Sequence, residues 1–227
     1  MENKLTLVEK LALLIMDRDK YDLNILEDRR VRRNILGCII TEMINKNALY
    51  VSDGFLEVYD GNVPLNRYEE YVSTIISEDI FEVEEVIEGL DQKTEYSFII
   101  DKLIDNLRDY EVIKGGEENY HYEVNRDVIG RIIKGIEENL DVYKIVNNDD
   151  LALMLYFYYT KIAKYYLSKD EVKKLKEKLD NFKDDKVYNF VLEEGIDRVP
   201  KKYSTSGDSR KKLNKGDIIA FSSELFF

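Results

Sequence analysis

Apolar residues recur along most of this chain at the three-and-four spacing of an amphipathic helix, and twice that spacing gives way to short alternating runs. The first helical pattern opens at Leu5-Thr6-Leu7-Val8-Glu9, where Thr6 and Glu9 stand three apart as a capping box requires. Leu7, Leu11, Leu14 and Ile15 then share one face, and Asp17 to Lys20 end the helix in a polar turn. A second helix is expected from near Glu27 to about Asn45, with Ile35, Ile39, Ile40, Met43 and Ile44 as its stripe. The run Ala48 to Tyr59 has β-prone residues on both sides of Asp53-Gly54, a strong hairpin signal.

Short helices are predicted over Tyr68 to Ser77 and Phe81 to Leu90, and a longer one over Tyr96 to Tyr110. A second hairpin returns through Tyr120 to Val124. Helices over Asp127 to Leu140, Leu151 to Leu167 and Lys169 to Leu192 follow. The expected fold is mostly α: a single compact multi-helix domain, residues 1–199, with one or two β-hairpins. Helix followed by hairpin occurs twice, which suits an internal duplication or a winged-helix habit.

The texture changes at Pro200, and residues 200–227 read as a polar, locally basic tail with an apolar end. Lys201 to Gly216 holds six Lys or Arg against Asp208, and Ile218 to Phe221 and Leu225 to Phe227 are apolar again. The richest apolar run, Leu151 to Thr160, is about ten residues, short of the roughly 18 a membrane-crossing helix needs. The start lacks the pattern of a signal peptide. The expected location is cytoplasmic, at most peripheral on the cytosolic membrane face.

Charge narrows the partners. A formal −12 over 227 residues, with pI near 4.8, repels nucleic acid, so a winged-helix nucleic-acid binder is disfavoured. Chemistry is sparse. The one cysteine, Cys38, lies on an apolar helix pattern as a buried core thiol would, and the one histidine, His121, sits between Tyr120 and Tyr122 in an expected strand. With that N/S set no zinc site or His-dependent nucleophile is expected, and there is no phosphate-binding glycine loop. Paired acids such as Glu84-Glu85 and Asp149-Asp150 carry little information in so acidic a chain. The tyrosines Tyr156, Tyr158, Tyr159, Tyr165 and Tyr166 are expected on one helix as packing residues. No catalytic residue, metal or cofactor is expected.

One patch carries an electrostatic argument. Arg29-Arg30-Val31-Arg32-Arg33 stands at a helix start, where the helix dipole disfavours cations and both attract an anion. Either a phosphate head group or internal pairing with Glu27, Asp28 or the Glu82 to Glu88 segment would answer it. The stretch between Arg67 and Lys93 holds nine acids and no base, as a solvated acidic face would.

The ordered set of motifs resembles the Golgi phosphoprotein 3 family from about Leu5 to about Val199. It begins with Leu5-Thr6-Leu7-x-Glu9 and Leu36-Gly37-Cys38 leading into an Ile- and Met-rich helix and a hairpin. Gly61-Asn62-Val63-Pro64-Leu65, Asn106-Leu107-Arg108-Asp109-Tyr110-Glu111-Val112-Ile113 and Leu151-Ala152-Leu153-Met154-Leu155 continue it. The resemblance implies a helical domain that binds phosphatidylinositol 4-phosphate and, in eukaryotic members, the cytosolic tails of glycosyltransferases. At the family's four head-group positions this chain has Glu27, Leu36, Ser97 and Ile100; Arg32 and Arg33 lie one turn before Leu36, and Lys102 lies near Ile100. The expected function is therefore a non-enzymatic peripheral membrane adaptor that holds an anionic lipid head group through Arg29, Arg30, Arg32, Arg33 and Lys102. The alternative is a cytosolic protein-interaction adaptor of the same fold without lipid binding, working through the acidic segment 69–91 and the tail. The hairpin tip Asp53-Gly54-Phe55-Leu56 is a candidate for membrane insertion.

Overall fold

Thr6 and Glu9 start the first helix as their spacing predicts. The Thr6 N–H donates to Glu9 Oε2 at 2.9 Å, the Glu9 N–H donates to Thr6 Oγ1 at 3.3 Å, and α1 runs Leu7–Met16. The computed structural model describes residues 5–17, 25, 28–52, 55–59, 61–77, 81–116, 122–141, 144–183, 185 and 189–191. Glu27, Asp53-Gly54, His121 and the tail from 200 lie outside the described residues.

The sequence pattern gives α1 one apolar face; the structure buries every residue of it except Lys10. Val8, Leu11, Ala12, Leu13, Leu14 and Ile15 are all inaccessible. A helix that is apolar nearly all round belongs at the centre of a core, and α1 is held between α2 (Arg29–Asn45) and α7 (Asn148–Tyr159), with α6 (Arg126–Glu138) alongside. At its end the buried Asp17 carboxylate accepts from Tyr166 Oη at 3.0 Å and pairs with Arg126 Nη1 at 3.0 Å.

Asp28 caps α2 by accepting from the N–H groups of Arg30 and Val31. The predicted stripe of Ile35, Ile39, Ile40 and Met43 is buried, and so is Cys38, whose thiol burial pushes well above its ordinary pKa. After α2, Asn47 takes a left-handed φ of 57° and turns the chain into β1 (Leu49–Ser52). β1 pairs antiparallel with β2 (Phe55–Val58), the expected hairpin, with Ser52 opposite Phe55. Leu56 is buried, so the insertion candidate turns its leucine inward; Phe55 is half-buried.

α3 (Arg67–Ser77) comes next, and then the one segment that departs in kind from its pattern. Phe81 and Glu82 form β3, a third strand beside β2, before α4 (Val83–Leu90) begins. Pairing with Phe55 and Leu56 keeps these two residues extended, and Glu82 becomes the helix N-cap. α5 (Lys93–Asp109) leads to the second hairpin, β4 (Ile113–Gly115) with β5 (Tyr122–Val124).

The helix predicted over Leu151 to Leu167 is two. The Thr160 hydroxyl bonds back to the Tyr156 carbonyl, Lys161 adopts φ 64°, and a short α8 (Ala163–Tyr166) follows. The tyrosine set is therefore divided: Tyr156 is buried in α7 against Thr41 at 3.0 Å, while Tyr165 is exposed on α8. α9 (Lys169–Asp180) is tied down by the buried Lys178, which donates to the Asp141 and Lys144 carbonyls. The buried side chains form one contiguous core, so the chain folds as a mostly α single domain with hairpins. No helix of the described residues is long and apolar enough to cross a membrane.

Candidate functional site

Two charged clusters stand at opposite ends of α2. At its start, the arginine patch faces the end of α4. Arg32 Nε lies 2.7 Å from Asp91 Oδ1, Arg29 Nε 3.5 Å from Asp91 Oδ2, and Arg33 Nη1 3.9 Å from Glu88 Oε1. Asp91 is the C-cap of α4, so these cations also meet that helix's negative end. Arg32 stacks over the buried Tyr96 ring at 5.8 Å, and Tyr96 Oη donates to the Ile25 carbonyl at 2.8 Å. The Arg32 side chain is 20% exposed and Asp91 9%, whereas Arg29 is 68% exposed. Arg30 has no ion pair among the described residues.

Lys102 is not gathered into this patch by any contact among the described residues. Its ammonium sits 5.8 Å from the Tyr71 ring, on the side of α5 that faces α3. Tyr96, which carries Arg32, lies six residues earlier, about 120° around the helix and ~9 Å along it. Of the other aligned positions, Leu36 and Ile100 are buried in the core and Ser97 bonds back to the Lys93 carbonyl at 2.7 Å.

At the far end of α2 lies a cluster that the sequence reading missed. Glu9, Glu42 and Glu69 are 0%, 2% and 0% exposed. Lys46 donates to Glu42 Oε1 at 2.8 Å and Glu69 Oε1 at 2.7 Å. Each carboxylate also takes a backbone N–H at a helix start. Glu9 accepts from Thr6, Glu69 from Asn66, and Glu42 reaches across from α2 to accept from Val8, each at 2.9 Å. The positive ends of α1 and α3 therefore converge on one post of α2, which suits carboxylates. Tyr68 Oη closes the cluster, 2.9 Å from Thr6 Oγ1 and 3.4 Å from Glu42 Oε1.

Three buried carboxylates on one half-buried ammonium are an electrostatic problem, and protonation eases it. Burial and then the Glu42 charge push Glu69 up to about 7, against the opposing pull of Lys46 and the Asn66 N–H. Burial likewise raises Glu9, with Glu42 adding to it. Burial alone would lower Lys46, but Glu42 and Glu69 outweigh it and hold its pKa above the usual lysine value. Tyr68 is raised well above its ordinary value, by burial first.

Two signals for this cluster were present in the sequence. Asn66-x-x-Glu69 has capping-box spacing, like Thr6-x-x-Glu9, and Glu42 interrupts an apolar run four residues before Lys46. The same geometry corrects the solvated-face expectation for residues 69–91. Glu70, Glu82, Glu84, Glu85 and Glu88 are exposed, but Glu69 is buried and Asp91 is nearly so. Among the described residues no group of three His, Cys, Asp or Glu is arranged to hold a metal. No family model and no curated protein matches this chain.

Proposed function

We propose that the protein is a non-enzymatic adaptor of the Golgi phosphoprotein 3 type that works by contact with polypeptide partners rather than by holding a lipid head group. One observation carries the choice. Arg29, Arg32 and Arg33 are answered by Asp91 and Glu88, so most of the charge that would draw a phosphate is matched within the fold. The surface left for partners includes the exposed acids of α4 and its flank, Glu82, Glu84 and Glu85, which suit the basic cytosolic tail of a membrane protein. The family resemblance draws support from element order: opening helix, second helix, hairpin, helices and second hairpin follow the quoted motifs. Support for a non-enzymatic role comes from the strongly perturbed acids, which are sealed in the core where no substrate reaches.

A second reading, lipid attachment, is favoured by the exposed Arg29 and by Arg30, which has no ion pair among the described residues. Co-sedimentation separates the two, using neutral liposomes, generic anionic liposomes and liposomes with phosphatidylinositol 4-phosphate, at low and physiological salt. The adaptor reading expects no salt-resistant binding by the natural chain, and a gain when Asp91→Asn and Glu88→Gln release the arginines. Salt-resistant phosphoinositide binding that disappears in Arg29→Ala/Arg30→Ala would overturn it.

A further inference from the structure

A groove of about 690 Å³ runs between α6, α7 and the start of α1. That volume lies within the range of known ligand pockets. Its floor is apolar, made by Val128, Ile132 and Ile136 of α6 and Leu153 and Met154 of α7. Gly135 keeps one wall low: a Cβ there would meet nothing within 4 Å. The rim carries Lys10 and Arg131, neither with an ion-pair partner among the described residues, and one acid, Asp150, whose Oδ2 accepts from Asn139 and Asn147. Elsewhere Arg29, Arg32, Arg33, Arg67, Arg108 and Arg126 all meet carboxylates. Two cations against the one acid leave the groove net positive over an apolar floor, which suits an occupant that is apolar and negatively charged.

The chain contains such a segment. Asp217-Ile218-Ile219-Ala220-Phe221 and Glu224-Leu225-Phe226-Phe227 are each an acid followed by an apolar block. The α6 wall from Val128 to Asn139 is about 16 Å long, room for roughly five extended residues, which is the size of one block. Twenty-five residues separate Val191, the last described, from Asp217. The random-coil relation gives a linker of that length a reach of about 25–30 Å, against a radius of gyration of about 16 Å for a body of this size, so every face is within reach. Residues 200–227 hold six Lys or Arg against three acids, a net +3, which leaves −15 of the formal −12 on the rest of the chain. The tail is thus drawn to the body, and tethering makes a contact of only millimolar intrinsic affinity substantial.

We propose that the groove between α6 and α7 is the docking site of the chain's own segment 217–221, with Lys10 and Arg131 facing Asp217 and the α6–α7 floor taking Ile218, Ile219 and Phe221.

The test places a nitroxide on the full chain through Ser223→Cys; the one native thiol, Cys38, is inaccessible. Methyl signals of Ile132, Ile136 and Met154 are expected to lose more than half their intensity, while those of Ile87 and Ile99, which do not line the groove, keep theirs. Gly135→Phe fills open space and is expected to restore the groove signals without loss of thermal stability. Lys10→Glu/Arg131→Glu is expected to restore most of them, which tests the charge pairing separately. Broadening spread evenly over all faces would overturn the proposal, as would groove broadening that survives Gly135→Phe. So would broadening that appears only when spin-labelled chains without isotope are mixed with isotope-labelled chains, since the occupant would then be a second copy.

Discussion

The two ends of α2 carry the same kinds of side chain in opposite circumstances. At the start, three arginines face two acids, with Arg29 and Glu88 open to solvent; at the end, three buried glutamates face one half-buried lysine. Near water, an imbalance of charge is tolerated because solvent and salt screen the surplus, and such pairs contribute little. In the core the surplus is costly, and raising Glu69 to about 7 lets it take up a proton near neutrality. The surface cluster is therefore a matter of attraction and the buried one a matter of stability.

The contrast can be broken most directly at Lys46. Removing the cation in Lys46→Ala leaves three buried carboxylates together, and the expected loss is about 3 kcal/mol at pH 7 by urea unfolding, with partial recovery at pH 5. Acid pH should stabilise this cluster in the natural chain. The folded pKa of Glu69 is raised from 4.5 to about 7, so the folded state binds more protons than the unfolded state between those values. The contribution of this group to stability is then greatest below about 4.5, falls as pH rises through 7 and levels off above it. The drop for this group is on the order of 2–3 kcal/mol, with Glu9 acting in the same direction. Glu69→Gln should flatten that slope in a series of urea midpoints from pH 5 to 8; a slope unchanged by the substitution would count against the assignment.

At the other end of α2, Asp28→Ala removes a cap that accepts two N–H groups and should cost about 1 kcal/mol. The smallest effect is expected from the surface strap itself. A double-mutant cycle on Arg32→Ala and Asp91→Ala should give a coupling of about 1 kcal/mol that shrinks with added salt. A coupling as large as that at Lys46 would abolish the distinction drawn between the clusters.

Local order was legible in the sequence. Thr6 and Glu9 announced the start of α1, Asp53-Gly54 marked the first hairpin, and the stripe of α2 was read residue by residue. What escaped depends on neighbours distant in sequence. Phe81 and Glu82 are strand only because β2 lies beside them, and the near-complete burial of α1 requires α2, α6 and α7 around it. The arginines were visible as a patch, and internal pairing had been weighed, but nothing local says that Asp91, 59 residues after Arg32, would meet it. The buried cluster escaped for the same reason: Glu9 and Glu69 have capping spacing and Glu42 interrupts an apolar run, but that the three meet depends on three helices being assembled.

The position of α1 has a consequence for how the protein is made. It leaves the ribosome before the elements that cover it: its Val8 amide waits for Glu42 and its far end for Tyr166, whose hydroxyl bonds the Leu14 carbonyl across 152 residues. At about 5–20 residues per second, that interval is roughly 8–30 s during which a ten-residue helix, apolar on most sides, has no permanent cover. A nascent chain halted before α7 should hold on to a chaperone, and one released after α8 should let it go.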